Sequence, residues 1–189
     1  APVPTIQAEN PDGLVLAEIR KKIADMAGFA MLSRLGSRPS SVGFSSLENV
    51  EEISGRGPLT PDHIIRTKRI PAYINQDVDN SLEKFSSEYA SYFNRHTQGE
   101  TMLDPAPRWA ILPGHGILAF GPSVKHLQII EDIAEHTQKA IFQAEQLGGW
   151  MALSEKDLFE MEYWELEQAK LKKAGAPKEM QGRIALVTG

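Results

Sequence analysis

The sequence predicts an α/β domain in which helices pack on a small mixed or antiparallel sheet. Three observations predict it: several segments place apolar side chains at helical spacing, two short apolar runs flank a glycine-rich corner, and Gly and Pro residues separate these segments. With 189 residues, 41% hydrophobic and 24% charged, the chain is long enough for one substantial core and has the composition of an ordinary globular domain.

The first third of the chain begins with a helix. Residues 14–35 place apolar side chains at helical spacing, and Asp12 precedes them as an N-cap. Residues 36–43 are rich in turn-forming residues, and residues 44–53 are compatible with a strand or a loop. We expect a single long helix, then a turn-rich stretch, and then a strand or a loop.

A second helix start is marked by Thr60, Pro61 and Asp62, since Thr caps a helix, Pro suits its first position and Asp favours its positive end. Residues 70–74 are typical of a short strand. From about Asp79 the aromatic side chains fall three or four residues apart, which predicts a helix whose aromatic face lies in the core.

The central segment predicts a pair of strands and a long helix. Residues 108–113 and 117–120 are two apolar runs around the corner at 114–116, which is typical of neighbouring buried strands. Ser123 then begins a helix that extends to Leu147.

The C-terminal part predicts a helix, a linker and a strand. Ser154 and Asp157 resemble a capping box for a helix that ends at Lys173, which closes an α/β region over 1–173. Residues 174–181 are typical of a linker, and residues 182–189 are an apolar run ending in Thr-Gly. Such a run opens a doubly wound nucleotide-binding sheet, where Gly189 would start the phosphate-binding turn, and it is also typical of an ordinary buried strand.

Composition argues against several kinds of partner. The net charge is −5 and the pI is near 5.6, so there is no basic excess to attract nucleic acid or an anionic membrane. The sequence has no cysteine, no signal-peptide pattern and no apolar run near 20 residues. We therefore expect a cytoplasmic protein that binds neither nucleic acid nor membrane.

Three groups of residues are candidates for chemistry. His115 projects from a tight Gly-His-Gly corner and suits a metal ligand, a structural turn residue or a substrate contact. A basic cluster near the second helix start suits a phosphate or a solvated surface, and His63 lies in the same turn. The cluster consists of Arg56, Arg66, Lys68 and Arg69.

A third candidate is the run of carboxylates at 160–167. Two of its four glutamates suit an acid and base pair, although a solvated face beside an aromatic ridge is the more ordinary arrangement. Tyr163 and Trp164 suit an anchor against a neighbouring domain or subunit. No catalytic residue is assigned from these patterns.

Three segments together resemble a known family. RGPLTPDHIIRTKR at 56–69, PGHGILAFG at 113–121 and FEMEYWELEQAKL at 159–171 are similar to bifunctional proteins that join a class II, adducin-like aldolase to a short-chain dehydrogenase, the rhamnulose phosphate aldolase/lactaldehyde dehydrogenase type. The resemblance implies zinc-dependent cleavage of a ketose phosphate to dihydroxyacetone phosphate and an aldehyde, which the second domain oxidises with NAD. The motif His115-Gly116 resembles the last zinc-ligand motif of class II aldolases.

The chain also departs from that family. A His-x-His pair, a catalytic Glu and a Gly-Asn-x-Ser phosphate motif are absent from the sequence. The resemblance therefore implies a segment between aldolase core and dehydrogenase, with little chemistry of its own and neither zinc nor NAD fully bound. Its partners would be the rest of the polypeptide and, in a homo-oligomer, further copies of the protein, with a phosphosugar as the parent's substrate. The alternatives are a noncatalytic adducin-like interaction module and a self-contained phosphosugar-binding enzyme.

Overall fold

The computed structural model describes residues 2–8, 11–172 and 178–188. Along the described chain, helices separate the short strands except for the last two strands, which are consecutive, and three helices follow them. Their bounds are α1 Gly13–Ala27, β1 Leu32–Gly36, α2 Pro39–Ser45, α3 Val50–Ser54, a 3₁₀ turn Pro61–His63, α4 Ile64–Thr67, β2 Ala72–Tyr73, α5 Val78–His96, β3 Trp109–Leu112, β4 Gly116–Gly121, α6 Val124–Glu145, α7 Glu155–Glu162 and α8 Glu165–Lys172.

The four strands form one mixed sheet, which confirms the predicted fold class. Their order is β1-β4-β3-β2, with β4 antiparallel to both of its neighbours and β2 parallel to β3. Every side chain of β3 and β4 is buried. Strands buried on both faces need helices on both faces, so the domain has three layers.

Alternate residues of β3 face different helical layers. Ala110 and Leu112 join a core formed with α1 and α5, whereas Trp109 and Ile111 join a core formed with α2, α3 and α6. This alternation follows from the period of two along a strand. A smaller aromatic core packs α7 against α5, outside the sheet.

Most of the predicted elements are confirmed, with shorter bounds. Asp12 caps α1 and Ser123 caps α6 through their side chains, and the aromatic face of α5 is buried as expected. The second predicted helix start yields only a 3₁₀ turn and a four-residue α4, and Thr60 makes no side-chain capping bond there. A helix this short has little dipole with which to attract an anion.

The long first helix was a wrong prediction in its second half. Helix α1 ends at Ala27 because Gly28 adopts φ 77° and donates its N–H to the carbonyl of Ala24. This left-handed cap favours glycine. Residues 32–36, expected to be helical, form β1 on the edge of the sheet instead.

The next segment was also wrongly predicted. Residues 39–45 and 50–54, expected to be a turn-rich stretch and then a strand or loop, form α2 and α3. Pro39 stands in the first turn of α2. The seven-residue length of α2 is too short for helical periodicity to show in the sequence.

The helix predicted from Ser154 to Lys173 is interrupted. Its start is confirmed, because Ser154 Oγ accepts from the N–H of Asp157, at 3.2 Å, and donates to its carboxylate. However, α7 ends at Glu162, and α8 begins at Glu165. The amide of Gln168 donates to the carbonyl of Glu162, which satisfies a helix end that would otherwise lack a partner.

The predicted C-terminal strand does not form among the described residues. Residues 183–188 have no regular secondary structure, and Ile184, Leu186 and Val187 are at least 84% exposed. A strand needs a neighbour to pair with, and the sheet described above does not provide one for it. The first half of the proposed linker at 174–181, residues 174–177, and Gly189 lie outside the described residues. In the described chain no helix is long and apolar enough to cross a membrane.

Candidate functional site

A sealed group of polar side chains lies where α4, α5 and α7 meet. Lys68 follows α4, Tyr89 and Tyr92 come from α5, Glu162 ends α7, and Tyr163 caps that helix end. All five are buried, and we call them the polar cluster. Burying a charge is costly unless it is compensated, so the contacts of these residues bear directly on stability and on any chemistry.

Lys68 is held in an unfavourable backbone conformation. Its φ is 61°, and among the described residues it is the one non-glycine position with positive φ. Its ammonium lies 3.7 Å from the ring centroid of Tyr89 and makes no hydrogen bond. A desolvated cation–π contact contributes about 2 kcal/mol, which is enough to offset backbone strain of about 1–3 kcal/mol.

A directed chain of hydrogen bonds ends on Glu162. The hydroxyl of Tyr89 donates to Glu162 Oε1 at 3.0 Å. Because a hydroxyl carries one proton, the hydroxyl of Tyr163 must donate to Tyr89 across their 2.7 Å contact, and it accepts from the N–H of Leu103 at 3.3 Å. Successive bonds of one direction strengthen each other in a dry interior.

Burial moves the pKa values of the cluster. Burial, and then the nearby Arg108, lower the pKa of Lys68 to about 8, while Glu162 and Asp104 oppose this change. Burial raises the pKa of Glu162, and Lys68 opposes that change. Burial also raises the pKa of both α5 tyrosines and raises that of Tyr163 to about 12. The tyrosines therefore stay neutral, and the charged forms of Lys68 and Glu162 favour each other.

Two ion-pair groups enclose the cluster. Arg108 forms a bidentate pair with Asp104, at 2.8 and 2.6 Å. Burial raises the pKa of Asp104, but the hydrogen bonds and charge of Arg108 outweigh it and lower the pKa overall. Arg69 pairs with Glu88 at 2.8 Å and with Glu155 at 3.5 Å, which links the end of α4 to α5 and α7.

The polar cluster has no room for a substrate. The space beside Lys68, Tyr89 and Tyr92 is about 10 Å³, close to the volume that one water needs. Lys68 Nζ, Glu162 Oε2 and the Tyr92 hydroxyl have no hydrogen-bond partner. The arrangement therefore fixes α7 against α5 and the end of α4.

The predicted phosphate residues are not gathered in one place. Arg56 donates to Glu145, at 2.6 Å, near the end of α6. Arg66 instead adds to the effect of burial in lowering the pKa of His126, near the start of α6. Those two positions on α6 are 19 residues apart, or about 28 Å along the helix.

The remaining predicted cations have separate surroundings. Lys68 belongs to the polar cluster and Arg69 to its ion pairs. His63 is half-buried with an unpartnered Nδ1, and burial lowers its pKa. Only His63 and Arg66 remain as neighbours on one short segment beside α6, and phosphate binding by them stays a prediction.

His115 lies at the predicted corner between β3 and β4. Its N–H donates to the carbonyl of Leu112 at 2.9 Å, and the side chain is half-buried. Gly116 has φ 114°, and a Cβ there would lie 2.3 Å from the carbonyl oxygen of Gly36, so the corner requires glycine. Across residues 2–8, 11–172 and 178–188, no three His, Cys, Asp or Glu side chains are placed to hold a metal. A metal role for His115 stays a prediction.

Sequence reasoning missed that Lys68 and Glu162 are buried close enough to influence each other's pKa. Glu160 is exposed as expected, but Glu162 is buried beside Tyr163, which packs within this chain. One signal was available: Glu162 falls four residues after Leu158, on the apolar stripe of α7. A carboxylate on such a stripe requires a buried donor or cation, although nothing in the sequence identifies Lys68 as that cation.

Comparisons with known proteins give one family, one relative and one similar solved structure. The family described as "Aldolase class II, second domain" matches residues 11–171. YuxG of Bacillus subtilis (strain 168), named an uncharacterized oxidoreductase, is 33% identical over 150 residues, which cover 72% of this chain and 22% of YuxG. The chain thus spans about a fifth of that relative. The crystal structure of YgbL from Escherichia coli aligns with a TM-score of 0.45 and 16% identity, over 82% of this chain and 67% of YgbL.

Proposed function

We propose that this chain is one domain of a larger protein that cleaves a ketose phosphate and oxidises the aldehyde product. The chain belongs to the family of class II aldolase second domains. The observation that carries the proposal is the similarity to YuxG, named an oxidoreductase, of which this chain matches 22%. Most of such a protein, including its oxidoreductase part, would then lie outside the matched segment.

In this proposal the domain contributes structure more than chemistry. The polar cluster and the aromatic core fix α7 on α5, and the rigid corner at Gly116 presents His115 at a strand end. Zinc and NAD are the cofactors expected of the whole protein. The described residues do not fit a complete zinc site, so His115 is at most one ligand of a site completed elsewhere. The phosphate turn expected at Gly189 lies outside the described residues.

The test compares the 189-residue chain with the full-length protein that contains it. Both are assayed for bound zinc, for release of dihydroxyacetone phosphate from ketose phosphates, and for reduction of NAD by an aldehyde. We expect both activities in the full-length protein alone. Zinc with turnover in the isolated chain would support a self-contained enzyme, and inactivity of both proteins would support a noncatalytic interaction module.

His115 can be tested separately in the full-length protein. His115→Ala removes zinc if this residue is a ligand, whereas His136→Ala changes an exposed histidine of α6 and serves as the matched control. Loss of zinc in the first variant alone assigns His115 to the metal site. Full zinc content in both leaves His115 with a purely structural role at the corner.

A further inference from the structure

A cleft of about 480 Å³ lies on the outer side of α7, between the end of α5 and the start of α8. Its volume is within the range of small-molecule sites. The rings of Phe159 and Tyr163 stack along one wall, with centroids 4.4 Å apart and planes 20° apart. Trp164 at the edge is 48% exposed. An indole exposed beside a concave surface offers an apolar face to a flat ligand.

The polar cluster holds the aromatic wall in place from behind. The hydroxyl of Tyr163 is bound by Tyr89 and by the N–H of Leu103. Phe159 meets Tyr92 edge to face, at 5.6 Å and 69°. Phe159 and Tyr163 are themselves buried, so they support the cleft from within, and the aromatic surface that a ligand meets is that of Trp164. A support that is already ordered lowers the cost of binding.

Hydrogen-bond donors line part of the rim. Arg95 uses Nε and Nη2 on Glu155, so Nη1 lies outside that pair. The ammonium of Lys156 is 3.9 Å from Glu160, and both side chains are at least 65% exposed, so this pair is weak and can open to a ligand. Gln98 adds an amide to the same rim.

Carboxylate acceptors line the rest of the rim. Glu100 accepts hydrogen bonds from the N–H of Gln98 and the hydroxyl of Thr97, and these bonds lower its pKa. It is therefore a fixed carboxylate at neutral pH. Glu160 and Glu165 add two more carboxylates to the lining, against the two cations Arg95 and Lys156. Three negative and two positive charges leave this rim slightly acidic.

These features exclude two ligand classes and favour a third. A phosphorylated ligand meets an acidic rim, and a purely apolar ligand leaves the rim's donors and acceptors unpaired. A ring sugar has hydroxyls that both donate and accept, and its C–H face can pack on an indole. We infer that this cleft binds an uncharged pyranose, with Trp164 under the ring and Arg95, Lys156 and Glu100 among its hydroxyls. The inference does not depend on the proposed function, since it uses no aldolase or dehydrogenase chemistry.

The direct test is a titration of the chain with the methyl α-pyranosides of glucose, mannose and galactose, followed by NMR shifts of the Trp164 indole. We expect at least one glycoside to saturate with a dissociation constant on the order of 1 mM. Glucose 6-phosphate should bind at least about fivefold more weakly than the best neutral sugar. Absence of saturation by all three glycosides, or tighter binding of the phosphate, overturns the inference.

Variants test whether the glycoside binds in this cleft. Binding to the variants is measured by calorimetry or by ligand-observed NMR. Trp164→Ala should weaken glycoside binding at least about tenfold, and Trp164→Phe should weaken it less, because a smaller ring still stacks. Leu166→Ala is the matched control, since this leucine is 60% exposed on α8 but does not line the cleft. Thermal melts check that each variant is folded. Equal affinity in Trp164→Ala and the original chain overturns the inference.

Discussion

The inner and outer faces of α7 place similar residues in opposite environments. On the inner face, Glu162 is buried with Lys68 and Tyr89. On the outer face, Glu160 is exposed and lies 3.9 Å from Lys156. The two glutamates are two residues apart, which on a helix is a rotation of about 200°. Helical phase, and not residue type, therefore decides which carboxylate is part of the fold's interior.

The two faces also differ in what a charge contributes. An exposed ion pair contributes about 0–1 kcal/mol, because water screens it and the side chains lose entropy. A buried charge that loses its partner costs several kcal/mol, because water no longer compensates it. Substitutions on the inner face should therefore affect stability strongly, and those on the outer face should affect mainly ligand binding.

The largest loss of stability is expected from Lys68→Met. It removes the cation that faces Glu162 and leaves the carboxylate buried, so the free energy of unfolding should fall by about 3–5 kcal/mol. Urea unfolding followed by circular dichroism measures it. The double variant Lys68→Met/Glu162→Leu should recover at least about half of the loss, because no buried charge remains. A single-variant loss below about 1 kcal/mol would show that the two groups do not compensate each other.

The second effect is a dependence of stability on pH. The pKa of Lys68 falls from 10.5 to about 8 on folding, so between these values the unfolded state binds more protons than the folded state. The contribution of Lys68 to stability should therefore rise with pH, by about 1–3 kcal/mol between pH 8 and 10. Above about pH 10 the buried tyrosines act in the opposite direction, since their pKa values are raised.

The pH effect is measured as the difference in stability between the original chain and Lys68→Met. The free energy of unfolding is determined for the original chain and for Lys68→Met across this pH range, and the gap between them should shift in favour of the original chain as pH rises. Asp104, which also faces Lys68, has a lowered pKa and so keeps its charge over the range. A constant gap would contradict the lowered pKa of Lys68.

A smaller effect distinguishes two adjacent aromatic residues. Tyr163→Phe removes the hydroxyl that links Leu103 to Tyr89, and should destabilise the fold by about 1–2 kcal/mol. Trp164→Phe changes a half-exposed ring and should alter stability by less than about 0.5 kcal/mol. Thermal or urea unfolding compares the two. Equal losses would show that the inner and outer faces of α7 are not energetically distinct.

The sequence predicted those parts of the fold that local chemistry determines. Asp12 and Ser154 were predicted as helix caps, and Ser123 as the start of a helix, because each acts on the next turn of its own helix. The β3–β4 pair was recognised from a glycine corner between two apolar runs. These features depend on residues close together in the chain.

Features set by contacts between distant segments could not be predicted. The strand β1 was read as helix because only its pairing with β4 distinguishes the two. The break between α7 and α8 depends on how Glu162 and Tyr163 are held by α4 and α5. Likewise, Arg56 and Arg66 look like one basic cluster along the chain, but they lie near opposite ends of α6.

The smallest effect on stability is expected on the outer face, from Lys156→Gln. Its pair with Glu160 is exposed and 3.9 Å long, so the free energy of unfolding should change by less than about 0.5 kcal/mol. The same substitution should weaken glycoside binding measurably if the ammonium donates to a sugar hydroxyl. Lys125→Gln, at an exposed position of α6, should leave binding unchanged. Unfolding experiments measure the effect of each variant on stability, and titrations measure its effect on glycoside binding. A large loss of stability in Lys156→Gln would show that the outer face also supports the fold.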